Sequence, residues 1–269
     1  MIIKTVSWNV NSINSRLSDL LNWLNENDPD IVFLQEIKAD FDKFPLFELN
    51  TLGYNVISSL EKQKNGVSIL SKHNIKMTAE YLADKDGQIK DTEARYIEGN
   101  ININDKDVSI ACVYVPAGGW GNVDRLSESD QIKFKHKIDF LRRLYRKLNS
   151  NERPQIIGGD FNIVPSLDDA YSKTLNGNVC NSEKERFIFK EFLKLGYMNS
   201  LDHAKDLDNK FTWWSYQFNS FQKNQGLRLD HIILDKNFNC KVINGSIDIS
   251  LRKTQHPSDH APVVVHLEL

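Results

Sequence analysis

The sequence predicts a layered sandwich of α and β elements, with sheets inside and helices outside. Two patterns carry that expectation. Short continuous apolar runs mark buried strands, and apolar stripes at helical spacing mark amphipathic helices. They mix along the chain without strict alternation. No low-complexity segment, Pro/Gly/Ser linker or short repeat interrupts the 269 residues, so 1–269 reads as one domain.

The first strand is expected over residues 2–8. Leu17, Leu20, Leu21 and Leu24 then recur at helical spacing until Asp28-Pro29 breaks the helix. Ile31-Val32-Phe33-Leu34 is apolar throughout, as a strand covered on both faces should be. Further strands are expected at 67–70, 108–115, 155–157, 232–234 and 263–267. A long helix over about 129–148 carries the stripe Phe134, Ile138, Leu141, Tyr145 and Leu148. Another opens at Ser182 with Glu185 three residues on, a capping box, and should bury Phe187, Phe192 and Leu193.

Composition narrows the class. The chain is 40% hydrophobic and 26% charged, as a soluble domain with a substantial core should be. No run approaches the roughly 20 apolar residues of a membrane span. The opening MIIKTVSW lacks the pattern of a signal peptide, so a cytoplasmic protein is expected. Three cysteines without a Cys-x-x-Cys pair exclude a disulfide framework and a cysteine zinc site. The net charge of −2 gives no sign of a nucleic-acid partner. The basic residues Lys133, Lys135, Lys137, Arg142, Arg143, Arg146 and Lys147 read as a solvated helix face.

Chemistry enters where the buried strands end abruptly in polar residues. Ser7-Trp8-Asn9-Val10-Asn11, Leu34-Gln35-Glu36, Tyr114-Val115-Pro116 and Gly158-Gly159-Asp160-Phe161-Asn162 follow strands. Arg228-Leu229-Asp230-His231 and Ser258-Asp259-His260-Ala261-Pro262 precede them. Each alone could be a cap or a turn. If the strand ends share one edge of the sheets, carboxylates, a histidine and asparagines converge in one cleft. Gathering carboxylates is costly without a cation. An oxygen-rich set without thiolates suits Mg²⁺ or Mn²⁺, and zinc is not expected. A hard metal beside an Asp-His pair suits attack of water on a phosphodiester. No phosphate-binding glycine loop or serine nucleophile elbow is present. The residues themselves thus point to a metal-assisted phosphoesterase.

In order, SWNVN, LQEIK, VYVP, GGDFNIVP, GLRLDHI and PSDHAP resemble the motifs of the exonuclease III / AP endonuclease family across nearly the whole chain. The resemblance implies a DNase I-like four-layer sandwich, two mixed sheets flanked by helices. It implies Glu36 as the principal Mg²⁺ ligand, with Asn9, Asn162, Asp160 and Asp259 close to the ion. Asp160 would activate or position water, Asn162 stabilise the transition state, and Tyr114 lie near the scissile phosphate. His260 would be the catalytic histidine, oriented by Asp230, and which group is the base stays open. Arg95 would lie near DNA. Trp213, Leu227 and Leu229 would line a pocket for an extruded abasic sugar, with Trp214 in the core. Such a pocket selects abasic sites because they have less stacking to lose.

Three departures from the family pattern stand out. Ser12-Ile13-Asn14 replaces a Gly-Leu-Arg, with an arginine only at Arg16. Trp120 stands where some relatives insert a basic side chain into DNA, and it could wedge or stack against bases. Residues 178–186 lack the Pro expected before the acidic pair. The implied activity is Mg²⁺-dependent cleavage 5′ to apurinic/apyrimidinic sites in double-stranded DNA, with 3′-end trimming, by a monomer that binds no membrane. A 3′-repair exonuclease, a lipid or inositol phosphatase on the same fold, and an inactive DNA-binding relative are the alternatives.

Overall fold

The computed structural model describes residues 1–204, 207 and 209–269. In chain order the elements begin with β1 (Ile2–Asn9), α1 (Leu17–Asn27), β2 (Ile31–Gln35), α2 (Leu46–Thr51), β3 (Asn55–Ser59), β4 (Val67–Ser71) and β5 (Ile75–Ala79). They continue with β6 (Tyr96–Ile103), β7 (Lys106–Tyr114), α3 (Glu128–Leu148), β8 (Ile156–Asp160), α4 (Glu183–Lys194) and β9 (Tyr197–Asn199). The last are β10 (Trp213–Trp214), β11 (Gly226–Leu227), β12 (Asp230–Asp235), β13 (Lys241–Ile247) and β14 (Val263–Glu268).

The strands form two six-stranded mixed sheets, ordered β13-β14-β1-β2-β4-β3 and β5-β6-β7-β8-β12-β9. A separate ribbon pairs β10 with β11. Alternation along β2 shows why its sequence is apolar without a break. Ile31 and Phe33 enter the core between the sheets, while Val32 and Leu34 join α1 residues Leu20, Trp23 and Leu24 on the outside. On the second sheet, Ala111, Val113, Ile157 and Ile233 pack against Leu141 and Leu144 of α3 and Phe189 and Phe192 of α4. Helix, sheet, sheet, helix is therefore the layer order, as the sequence leads one to expect.

Both predicted helix boundaries have their physical cause in view. Asp28 ends α1 in the left-handed region (φ 43°), its N–H donating to Leu24 O. Ser182 and Glu185 close the capping box at the start of α4. Two expectations fail. Phe187 is 60% exposed, because the buried face of α4 runs through Glu185, Phe189 and Phe192, three or four residues apart. The basic stretch of α3 is not wholly solvated either: Lys137 and Arg143 are buried. Lys137 reaches Glu185 of α4 and donates to Asn162 O at 2.6 Å, and Arg143 pairs with Asp91. Strands β3, β5 and β13 escaped the sequence reading because they lie at sheet edges and alternate or expose their side chains.

Gly158 of β8 sets how closely the two sheets approach, and Gly159 how closely β7 lies alongside β8. A Cβ at Gly158 would lie 2.1 Å from Phe33 of β2 in the other sheet, and one at Gly159 would lie 2.0 Å from Val113 O. Gly158→Ala is therefore expected to cost about 1–3 kcal/mol, the range of an overpacked core, read as a lower denaturant midpoint. Stability equal to the wild type would mean that Phe33 moves aside freely.

Candidate active site

Strand direction explains how distant segments meet. Parallel β1 and β2 end side by side, Asn9 opposite Gln35, which presents Glu36. Antiparallel β14 starts at the same edge, Val263 opposite Ser7, so Asp259 and His260 arrive there too. In the other sheet Tyr114 ends β7 opposite Asp160 at the end of parallel β8, and Asp230 begins β12 opposite Asp160. Packing the two sheets face to face brings both edges into one cleft.

Hydrogen bonds knit that edge together. Asn9 Nδ2 lies between two carboxylates, 2.8 Å from Glu36 Oε1 and 3.0 Å from Asp160 Oδ2. The Tyr114 hydroxyl donates to Glu36 Oε1 at 3.0 Å, and Lys38 Nζ lies 2.6 Å from Glu36 Oε2. Asp160 Oδ1 accepts from the backbone of Asn162, whose side chain donates to Val115 O and Asp160 Oδ2. His260 Nδ1 lies 2.8 Å from Asp230 Oδ2, leaving Nε2 facing Asp160 Oδ2 at 3.8 Å. Asp259 accepts from Asn11 Nδ2 and from the Trp213 indole, each at 2.9 Å. Glu36 (φ 52°), Asn162 (φ 50°) and Asn11 (φ 46°) all hold left-handed backbone. Such conformations concentrate where packing enforces a side-chain direction that relaxed backbone would not give.

Electrostatics follow from burial and crowding. Burial pushes the Asp160 carboxyl up to about 7, and neighbouring Asp230 adds to the effect. Burial favours neutral His260, but Asp230 and Asp160 outweigh it and raise its pKa to about 10. For Glu36, burial raises the pKa, yet Lys38 and Asn9 together hold it below the usual carboxylate range. Burial likewise opposes ionisation of Asp259, and His260, Trp213 and Asn11 reverse the sign. Burial and then Glu36 keep the Tyr114 phenol neutral.

The residues present fit a hard divalent cation. Ligand atoms of Glu36, Asp160 and His260 lie within 4.8 Å of one another. The buried Asp230 Oδ1 has no hydrogen-bond partner, so the cluster carries more negative charge than its neighbours satisfy. Oxygen donors dominate and no thiolate takes part, as Mg²⁺ or Mn²⁺ requires. A second such grouping, Asp91, Glu93 and His136, is already neutralised by Arg143 and Arg95.

The remaining candidates surround this cluster. The Arg95 guanidinium lies over the Tyr114 ring, 4.6 Å from its centroid. Beside the carboxylates opens a cavity of about 580 Å³ lined by Trp120, Tyr171, Leu175, Trp213, Phe218 and Leu227, among others. Leu229 is buried with Val164 and Ala170, backing Trp213 and Leu227. Trp214 is fully buried in the inter-sheet core.

Several positioning residues were passed over in the sequence. Thr212 Oγ1 accepts from the backbone N–H groups of Leu229 and Asp230, which fixes the start of β12. Ser258 Oγ donates to Asn9 O at 2.7 Å and accepts from His260 N–H, tying two motifs together. Lys38 and Asn11 lie inside quoted motifs, and only the folded edge shows that they contact the carboxylates. Arg16 donates to Asn11 O and Pro257 O, bracing the same two loops from outside.

Comparison with known proteins agrees with this geometry. The chain is 27% identical to exodeoxyribonuclease III of Haemophilus influenzae, over 97% of its own length and 98% of the relative's. Among solved structures, a 3′ phosphatase from Neisseria bound to a product DNA hairpin superposes with a TM-score of 0.86 at 30% identity, covering 99% of this chain and 100% of that one. An AP endonuclease from Archaeoglobus fulgidus gives 0.82 at 30% identity, with 98% of each chain covered. Residues 6–260 match the endonuclease/exonuclease/phosphatase family. Over residues 6–260, then, the chain belongs to the endonuclease/exonuclease/phosphatase family.

Proposed function

We propose that this chain is a Mg²⁺-dependent DNA phosphodiesterase that hydrolyses the backbone 5′ to apurinic/apyrimidinic sites, leaving a 3′-OH, and also trims blocked 3′ ends. The observation that carries the reading is the meeting of Glu36, Asp160 and the Asp230–His260 pair beside an apolar cavity. Glu36 and Asp160, with Asn9, Asn162 and Asp259 close by, would hold Mg²⁺, for which Mn²⁺ would substitute. The bound ion would supply charge stabilisation at the phosphoryl oxygens.

The chain's own groups divide the remaining work. Asp160, desolvated and crowded by Asp230, takes a proton more readily than an ordinary carboxylate, which suits orienting and deprotonating water. His260 is held as an imidazolium by Asp230 and offers Nε2–H to a phosphoryl oxygen. The amide of Asn162 and the hydroxyl of Tyr114, with Arg95 behind the Tyr114 ring, can fix the phosphate in line. The partner is double-stranded DNA, engaged by a monomer. The Exodeoxyribonuclease III and AP endonuclease names of relatives support this reading.

A 3′-end reading has support of its own, since one structural neighbour is a 3′ phosphatase and another a 3′-5′ exonuclease from Neisseria meningitidis. Labelled duplexes separate the two on a gel: one with a central abasic analogue, one with a recessed 3′ end, each with Mg²⁺ and with EDTA. A single Mg²⁺-dependent nick 5′ to the abasic analogue is the expected result. A ladder from the 3′ end with the abasic strand uncut would move the assignment to 3′ repair.

A further inference from the structure

The side-chain cavity beside the carboxylates holds more than a baseless sugar needs. We infer that Trp120 and Trp213 form a slot for a nucleobase, so that the chain holds an unpaired, base-bearing nucleotide next to its phosphate-cleaving cluster. This deepens the proposed function, on which the identity of the polymer rests, by naming what the cavity takes.

The two indole rings, both lining the cavity, lie with centroids 6.4 Å apart and tilted by 44°. Rings stacked on both faces of a base sit roughly 7 Å apart, twice the ~3.4 Å rise of stacked bases. A small swing of Trp120 into parallel would therefore complete a sandwich. That swing is unopposed by packing, because Trp120 is 75% exposed. Its loop is also unusual: Gly118, Gly119 and Gly121 hold φ values of 89°, 94° and 100°, a backbone course that side chains disfavour. This course carries a large apolar ring out over the cavity rather than into the core.

A buried polar side chain also borders the cavity. Asn181 is only 1% exposed and lines it, yet its Nδ2 has no partner. Its Oδ1 is occupied by Arg186 Nη1 at 2.6 Å, which fixes the amide with its NH₂ unused. A buried donor left unsatisfied costs free energy. A baseless deoxyribose has no aromatic face for either indole. Trp213 also donates to Asp259 Oδ2 at 2.9 Å, so the slot adjoins the carboxylate cluster and one nucleotide can span both.

The test is binding without cleavage. In EDTA, duplexes carrying an unpaired 3′-terminal 2-aminopurine are compared with the same duplexes carrying an abasic analogue there. Stacking should quench 2-aminopurine fluorescence on wild-type protein. Trp120→Ala should relieve the quench and lower the base-bearing to abasic affinity ratio about 10-fold, within the range for one base–aromatic stack. Trp120→Phe should keep most of the ratio. An unquenched wild-type complex, or a ratio unchanged in Trp120→Ala, overturns the slot. Adding Mg²⁺ tests the enzyme separately. Quenching with no cutting of either duplex leaves the slot standing and removes the phosphodiesterase, whereas cutting without quenching does the reverse.

Discussion

His260→Ala is expected to lower DNA strand cleavage by about 10²–10⁴-fold, the usual size of a single acid–base or charge-stabilising contribution. The variant also strands Asp230, a fully buried carboxylate whose one charged partner among the described residues is the imidazole. Breaking such a pair costs roughly 3–5 kcal/mol, so folding must be read beside activity, by circular dichroism and by the denaturant midpoint. The companion Asp230→Asn/His260→Ala variant removes the stranded charge. Because the two residues act as one unit, the double variant should recover stability while cleaving no more slowly than His260→Ala alone. A folded His260→Ala protein that turns over at the wild-type rate would remove the Asp230–His260 pair from the mechanism.

Glu36→Ala should be nearly as damaging and should fail for a different reason. Glu36 lies beside Asp160 in the oxygen-rich grouping able to hold a cation, and Lys38 and Asn9 keep its carboxyl ionised. Mg²⁺ binding to the folded wild type should raise its melting temperature, with about 2.7 kcal/mol of stabilisation at an ion concentration 100-fold above Kd. The expected variant loses that shift along with strand cleavage, and Mn²⁺ restores neither at the same concentration. Without metal the variant should be slightly less stable than the wild type at neutral pH, since Lys38, Asn9 and Tyr114 lose the carboxylate they hold ionised. A full Mg²⁺-induced shift in Glu36→Ala would place the ion elsewhere.

Much of the site is legible in the sequence, because its residues sit where apolar runs stop. Asn9, Glu36, Tyr114 and Asp160 each follow a buried strand, and Asp259 and His260 precede one. Strand periodicity and abrupt polarity are local properties, so they survive in one dimension. The outer and edge strands were lost for the same reason. Strands β5 and β13 lie at sheet edges with mostly exposed or half-buried side chains, so no apolar run marks them.

Long-range packing decided the rest. Lys137 belongs to a run that looks like a solvated helix face, yet α3 turns it inward to Glu185 and to the carbonyl of Asn162. Phe187 sits in an apolar run, yet the face of α4 chosen by the sheet leaves it in water. Thr212 and Ser258 are unremarkable in sequence and become positioning groups only when β12 and β14 bring Asp230 and His260 to one edge. By itself the sequence determined which chemical groups end the strands, and hence the class of chemistry, because strand ends are written in local polarity. Only the tertiary structure decided which groups touch and that Trp120 lies beside Trp213. Those contacts join residues far apart in the chain, and they depend on sheet-to-sheet distance and strand direction.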